Sequence, residues 1–293
     1  MKIIYTNSYE EALELRDSGY EPIECAFGAY GSVMGDLCMD HHGTESHREG
    51  VAIRSIRDHQ GALAERPWFV VTGTPDADAI LSILALSGRL DGLELPEDFA
   101  EWVDRHDRNP IGLDLTTTPA GILLLAFNQV SLPRGLSGFE KGLEAMEALI
   151  QTPPDEEAIR KIVGTEKSRQ RRAHESVRAV LEPGGNPLMD PLPDGAKERR
   201  VMVAEGAVWG FDIWYLYAPV VVSFSARLEK VTVGCPSKEV AESLFGPGGL
   251  MAVYTTLGEG WGGREAIGGS PRGEKKTSED ARDVAMHIAK LLG

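Results

Sequence analysis

The chain is poor in cysteine, in basic charge and in long apolar runs. Three cysteines (Cys25, Cys38, Cys235) scattered over 293 residues make neither a disulfide framework nor a zinc knuckle, so buried free thiols are the simpler reading. The longest apolar run, about Ala120 to Phe127, is far short of the ~20 residues a bilayer needs, and no membrane partner is expected. Met1 to Asn7 lacks the apolar length and small-residue cleavage site of a signal peptide, which predicts a cytoplasmic location. Lys and Arg number 30 against 45 Asp and Glu, a net charge of −15, so a long nucleic-acid duplex has no overall electrostatic reason to dock. Any polyanion must be handled locally, and with metal.

What is present fits an ordinary globular protein. With 42% hydrophobic and 26% charged residues, the composition excludes disorder and collagen-like repeats. The length suits two domains, at roughly 100 to 200 residues each.

Strand-like and helix-like segments alternate through the first third. Met1 to Thr6 is a short apolar run, and Ser8 with Glu11 has capping-box spacing that opens a helix to about Asp17. Pro22–Phe27 and Gly35–Met39 read as strands, and a helix follows from about Thr44 through Val51, Ile53 and Ile56. Trp68–Thr72 reads as a buried strand before a helix carrying Ile80 to Leu86. From about Pro96 to Leu181 the pattern turns helical, with Pro96 and Pro119 as first-turn prolines and Asp155–Val180 as one long charged helix.

The densest breaker cluster, Glu182 to Gly195, sets the expected domains at 1–182 and 196–293. Beyond it, Arg200–Val203, Phe211–Tyr217, Val220–Ser225 and Lys230–Val233 read as strands, and Ser237–Phe245 and Ser278–Leu292 as helices. The fold class expected is therefore α/β: a parallel-sheet N-terminal domain with helices on both faces, a helical linker, and a smaller α/β C-terminal domain.

Three acidic and histidine clusters carry the chemistry. Asp40-His41-His42-Gly43 directly follows a strand-like run, and in a parallel sheet ligands bind outside the carboxyl ends of the strands. Asp76-Ala77-Asp78-Ala79 sits between a buried strand and an apolar helix; the helix dipole explains one aspartate there better than two. Asp104-Arg105-His106-Asp107 ends a helix, where carboxylates oppose the dipole and need another partner. Converging like charges call for cations between them, and mixed carboxylate and imidazole ligands suit Mn, Fe, Co or Zn. A pair of such ions suits phosphoester or phosphoanhydride hydrolysis.

Asp40-His41-His42 with Asp76-Ala77-Asp78-Ala79 resembles the DHH phosphoesterase superfamily. The resemblance implies a di-manganese site in the N-terminal domain and a C-terminal substrate domain, with a small phosphorylated substrate such as a short oligonucleotide or nucleotide derivative. It implies metal ligation by His41, Asp76, Asp78 and one of Asp104 and Asp107, Asp104 slightly favoured. His42 would lean on the substrate phosphate, and Asp40 would orient a histidine from behind.

The segment Gly258 to Gly273 holds seven glycines and is similar to the family's substrate loop. Its backbone N–H groups and the Arg264 and Arg272 guanidinium groups suit a phosphate, so Gly262, Gly263, Arg264, Gly268, Gly269, Ser270 and Arg272, with His106, are the expected substrate contacts. A homodimer is admitted among the expected partners.

The sequence departs from the family pattern at defined points. Thr72 stands four before Asp76, where a histidine is usual, and Asp40-His41-His42 precedes the paired aspartates. Glu24 and Asp36 are candidates for the bridging carboxylate, and His47 or His106 for the missing imidazole. The alternative function that these departures sustain is a non-catalytic phospholigand sensor with a degenerate metal site.

Overall fold

Short runs of β-branched and aromatic residues form two strands of the first sheet, Lys2–Tyr5 and Trp68–Val71, and Glu21-Pro22-Ile23 forms the third. β1 (Lys2–Tyr5) and β2 (Glu21–Ile23) flank β3 (Trp68–Val71), and both pair with it in parallel, with Ile3 opposite Phe69 and Ile23 opposite Val71. Parallel pairing requires a crossover. Between β1 and β2 the chain forms α1 (Tyr9–Asp17), opened by Ser8, whose hydroxyl accepts the Glu11 N–H.

This computed structural model describes residues 1–27, 30–41, 49–189, 198–206, 209–271 and 273–293. It divides into two compact units, one of Met1–Pro110 with Asp114–Gly164 and the other of Ile111–Leu113 with Thr165–Gly293. The division falls between Gly164 and Thr165, whereas the breaker cluster had suggested 1–182 and 196–293. The class is mixed α/β, and no described helix is long and apolar enough to cross a membrane.

In the first unit β2 is shorter than the expected Pro22–Phe27, because Glu24 adopts a left-handed conformation (φ 49) and ends the extended run. Gly35–Met39 is not a strand either. It is a turn leading to a second left-handed residue, Cys38 (φ 54). The helices are α2 (Val51–Asp58), α3 (Ala77–Leu86), α4 (Phe99–Arg108), α5 (Pro119–Asn128) and α6 (Leu136–Gln151). All of α3 is buried, and a helix buried on every side needs neighbours all round, which α2 and α6 among others supply.

Pro119 occupies the first turn of α5 as expected, behind Thr118. Pro96 does not open α4, which begins at Phe99 after Asp98; the Pro96 carbonyl accepts the Phe99 N–H instead.

The long charged helix, α7 (Glu156–Glu175), ends before Val180, because Val177 and Val180 belong to a strand, β4 (Val177–Leu181). β4 begins a sheet with β5 (Val201–Glu205), β6 (Val220–Ser225), β7 (Lys230–Gly234), β8 (Gly262–Gly263) and β9 (Ile267–Gly269), in the order β4-β5-β6-β7-β9-β8. β5 and β6 pair in parallel and every other pair is antiparallel.

Both faces of this sheet are covered, so Val201–Ala204 and Val220–Val222 of its central strands run apolar without alternation. Val201, Val203, Val220 and Val222 face α9 (Lys238–Phe245), α10 (Leu250–Leu257) and α11 (Ser278–Leu292), while Met202, Ala204 and Val221 face Phe211, Trp214 and Ala173. Phe211–Tyr217, expected as a strand, contains the short helix α8 (Phe211–Trp214). The Trp214 N–H donates to the Gly210 carbonyl at 2.7 Å and its indole N–H to the Ala173 carbonyl at 3.0 Å, so the aromatic residues enter the core from a helical turn.

Candidate metal centre

Because β2 and β3 run in the same direction, their carboxyl ends open on one edge of the sheet. Glu24 is the first residue beyond β2. Its N–H donates to the Met39 carbonyl at 2.8 Å, which ties the chain before His41 to the end of the strand. Beyond β3, Asp76 caps α3 by accepting the Ala79 N–H at 2.9 Å, and Asp78 lies in the first turn of that helix. The last turn of α4 adds Asp107.

His41 is the centre of the group. Its Nε2 lies 2.9 Å from Glu24 Oε1, 3.1 Å from Asp107 Oδ2 and 3.8 Å from Asp78 Oδ2. One ligand atom from each of Glu24, His41, Asp78 and Asp107 lies within 4.8 Å of the others, so these four could hold a metal ion. Three carboxylates with an imidazole fit a first-row divalent ion in charge and donor type.

The electrostatics agree with that fit. Burial first, then the charge of Asp76, raises the Glu24 carboxyl well above its ordinary range. Asp78 is raised to about 6 by burial and then by Asp107. Asp76 keeps a solvent-facing surface but is crowded by protein atoms, and the loss of hydration raises it to about 7 despite the Ala79 N–H. Burial alone would lower His41, yet its hydrogen bonds to Asp107 and Glu24 outweigh that and raise it to about 11.

Asp78 also has a structural task. Its two oxygens accept the Val51 and Ala52 N–H groups at 2.8 and 2.9 Å, and Asp104 accepts the Gly50 N–H at 2.5 Å. The N-terminus of α2, which has no side-chain cap of its own, is thus capped by carboxylates from α3 and α4. One turn further on, the Ser55 and Ser82 hydroxyls lie 2.6 Å apart and hold the same two helices together.

The structure therefore brings His41, Asp76, Asp78 and Asp107 together and adds Glu24. Asp104, which the sequence slightly favoured over Asp107, is occupied by the Gly50 N–H and by an ion pair with Arg108. That pairing answers why carboxylates are tolerated at this helix end: Asp104 has Arg108 and Asp107 has His41. Asp40 is fully buried, with its carbonyl accepting from Arg54 at 3.1 Å, and His106 lies beside Asn128. His42, His47 and Arg272 lie outside the described residues. Glu24 was legible only as a bridging candidate; its place directly beyond β2 was hidden because Pro22–Phe27 reads as one strand, which the left-handed conformation of Glu24 cuts short.

In the second unit Gly262, Gly263, Gly268 and Gly269 form the β8–β9 hairpin. A Cβ on Gly263 would meet the Gly268 backbone, and one on Gly268 would meet the Gly262 carbonyl and the Tyr254 hydroxyl, so close strand approach accounts for both. Arg264 is exposed in the turn, and the Ser270 hydroxyl accepts the Val231 N–H at 3.3 Å. Compared with known protein families and with curated proteins, the chain matches none.

Proposed function

We propose that this chain is a metal-dependent phosphohydrolase of the DHH type, acting on a small phosphorylated substrate. The observation that carries the reading is the convergence of Glu24, His41, Asp78 and Asp107 beyond the ends of two parallel strands. These four would hold the ion, with manganese the first candidate. A divalent ion supplies Lewis-acid polarisation of a phosphoryl oxygen and activation of water for in-line attack.

The remaining steps fall to the protein's own groups. One oxygen of Asp76 is engaged by the Ala79 N–H, and the other is the atom that would take a proton from the attacking water. Loading the ion requires His41 and the raised carboxyls to give up their protons, so uptake should release protons and strengthen as pH rises. The surplus of acidic residues favours a small substrate over a long polyanion.

The test is elemental analysis of the purified protein, followed by assay of manganese-dependent release of phosphate or mononucleotide from short oligonucleotides, dinucleotides and pyrophosphate. Turnover that chelator abolishes and manganese restores supports the reading. Tight phospholigand binding without turnover by the manganese-loaded protein would support the sensor instead.

A further inference from the structure

His41 sits on no regular element. The chain from Gly35 to His41 is a turn followed by a left-handed residue and a short extended stretch, so something outside it must fix the imbidazole-bearing residue in place. Two buried or half-buried ionisable side chains do so from opposite ends, and neither belongs to the group of four around His41.

Glu21, on β2, accepts the Leu37 N–H at 3.1 Å, and its carboxylate fills the space where a side chain at Gly35 would stand. Arg54, on α2, donates from Nη1 to the Cys38 carbonyl at 3.0 Å and from Nη2 to the Asp40 carbonyl at 3.1 Å. One planar guanidinium therefore bridges the carbonyls on either side of Met39, and the second of these belongs to the residue bonded to His41. Met39 itself is anchored between them, its carbonyl by the Glu24 N–H and its sulfur by the Ser55 hydroxyl at 3.4 Å.

We infer that Arg54, assisted by Glu21, is a positioning residue for His41: the guanidinium fork and the Glu21 carboxylate set the path of residues 35–41 and so the aim of the imidazole at Glu24, Asp78 and Asp107. The fork geometry is essential. Lysine keeps the charge but offers a single point donor that cannot span two carbonyls in a fixed plane. The inference rests on the proposed metal role only for its effect on binding; its effect on the imidazole is independent of any ion.

Arg54→Lys, Arg54→Gln and Glu21→Gln are compared with the parent in two measurements. In the metal-free full-length protein, long-range ¹H–¹⁵N spectra of the histidine side chains, with the His41 signals assigned by their loss in His41→Gln, should show the His41 resonances displaced in both Arg54 variants and less so in Glu21→Gln. Manganese titrated by calorimetry should bind about tenfold or more weakly to both Arg54 variants, the scale expected when a partner behind a ligand is removed. Unfolded Arg54→Gln leaves the decision to Arg54→Lys, which introduces no uncharged group in its place. His41 resonances that stay at their parent positions in folded Arg54→Lys overturn the inference, whatever the titration gives. A parent protein that binds no manganese sinks the proposed function, while the spectra still decide the role of Arg54.

Discussion

A carboxylate's burden differs from residue to residue in this cluster, and substitutions should separate the roles. Asp107 keeps a side-chain exposure of 28% and meets the group through His41, whereas Asp78 also caps α2 through two backbone N–H groups. Asp107→Asn should therefore weaken manganese binding at least about tenfold with little change in the metal-free unfolding temperature. Asp78→Ala should lose metal binding and also about 1 to 2 kcal/mol of metal-free stability, read by urea unfolding. That structural cost comes from the bonds of Asp78 to the Val51 and Ala52 N–H groups.

Glu21 gives a pH prediction at the same scale. Burial raises its carboxyl from 4.5 to about 7, so the stability linked to its proton is fully present below about pH 4.5 and is lost as pH rises to about 7. Relative to Glu21→Gln, which cannot ionise, the parent should lose up to about 3 kcal/mol across that window. Parallel stability curves for the two proteins would exclude the effect.

Among the elements, the junction of α2 with α3 and α4 is the most constrained. A Cβ on Gly50 would lie 2.8 Å from Asp78 Oδ1 and 3.0 Å from Asp104 Oδ1, so Gly50→Ala should displace both carboxylates, costing about 1 to 3 kcal/mol and weakening metal binding. Chemical denaturation with a manganese titration measures both. Elements with strong local signals were legible: α11 opens with Thr277 and Asp280 in a reciprocal capping box, and β3 is an apolar run with one central place in the sheet. Phe211–Tyr217 was not, because aromatic and β-branched composition favours a strand while the Gly210 carbonyl accepts the Ile213 and Trp214 N–H groups and makes a helical turn. Asp104 and Asp107 lie three residues apart on one helix; Arg108, one turn after Asp104, is a local partner, and the tertiary positions of Gly50 and His41 complete the difference between them.

For the whole molecule, the group around His41 is built entirely within the first unit. Ligand stabilisation should therefore be uneven. Saturating manganese, at about 100 times its dissociation constant, is worth about 2.7 kcal/mol to the state that binds it. Hydrogen exchange should slow at Gly50, Val51 and Ala52 and along α3, with β5, β6 and β7 unchanged. Equal protection of both units would argue against an ion held by these four residues.

The sheet of the second unit finishes differently at its two margins. β8 is only two residues long, and β4 is shielded by the Leu188 N–H bonding to the Val180 carbonyl and by a bridge from Pro187 to Leu181, with Arg178 exposed on the same strand. Among the described residues, neither margin offers a long, flat row of free backbone groups onto which a second molecule could zip. Strand addition at these two margins should accordingly be disfavoured, and concentrated solutions should resist fibril growth seeded from this sheet.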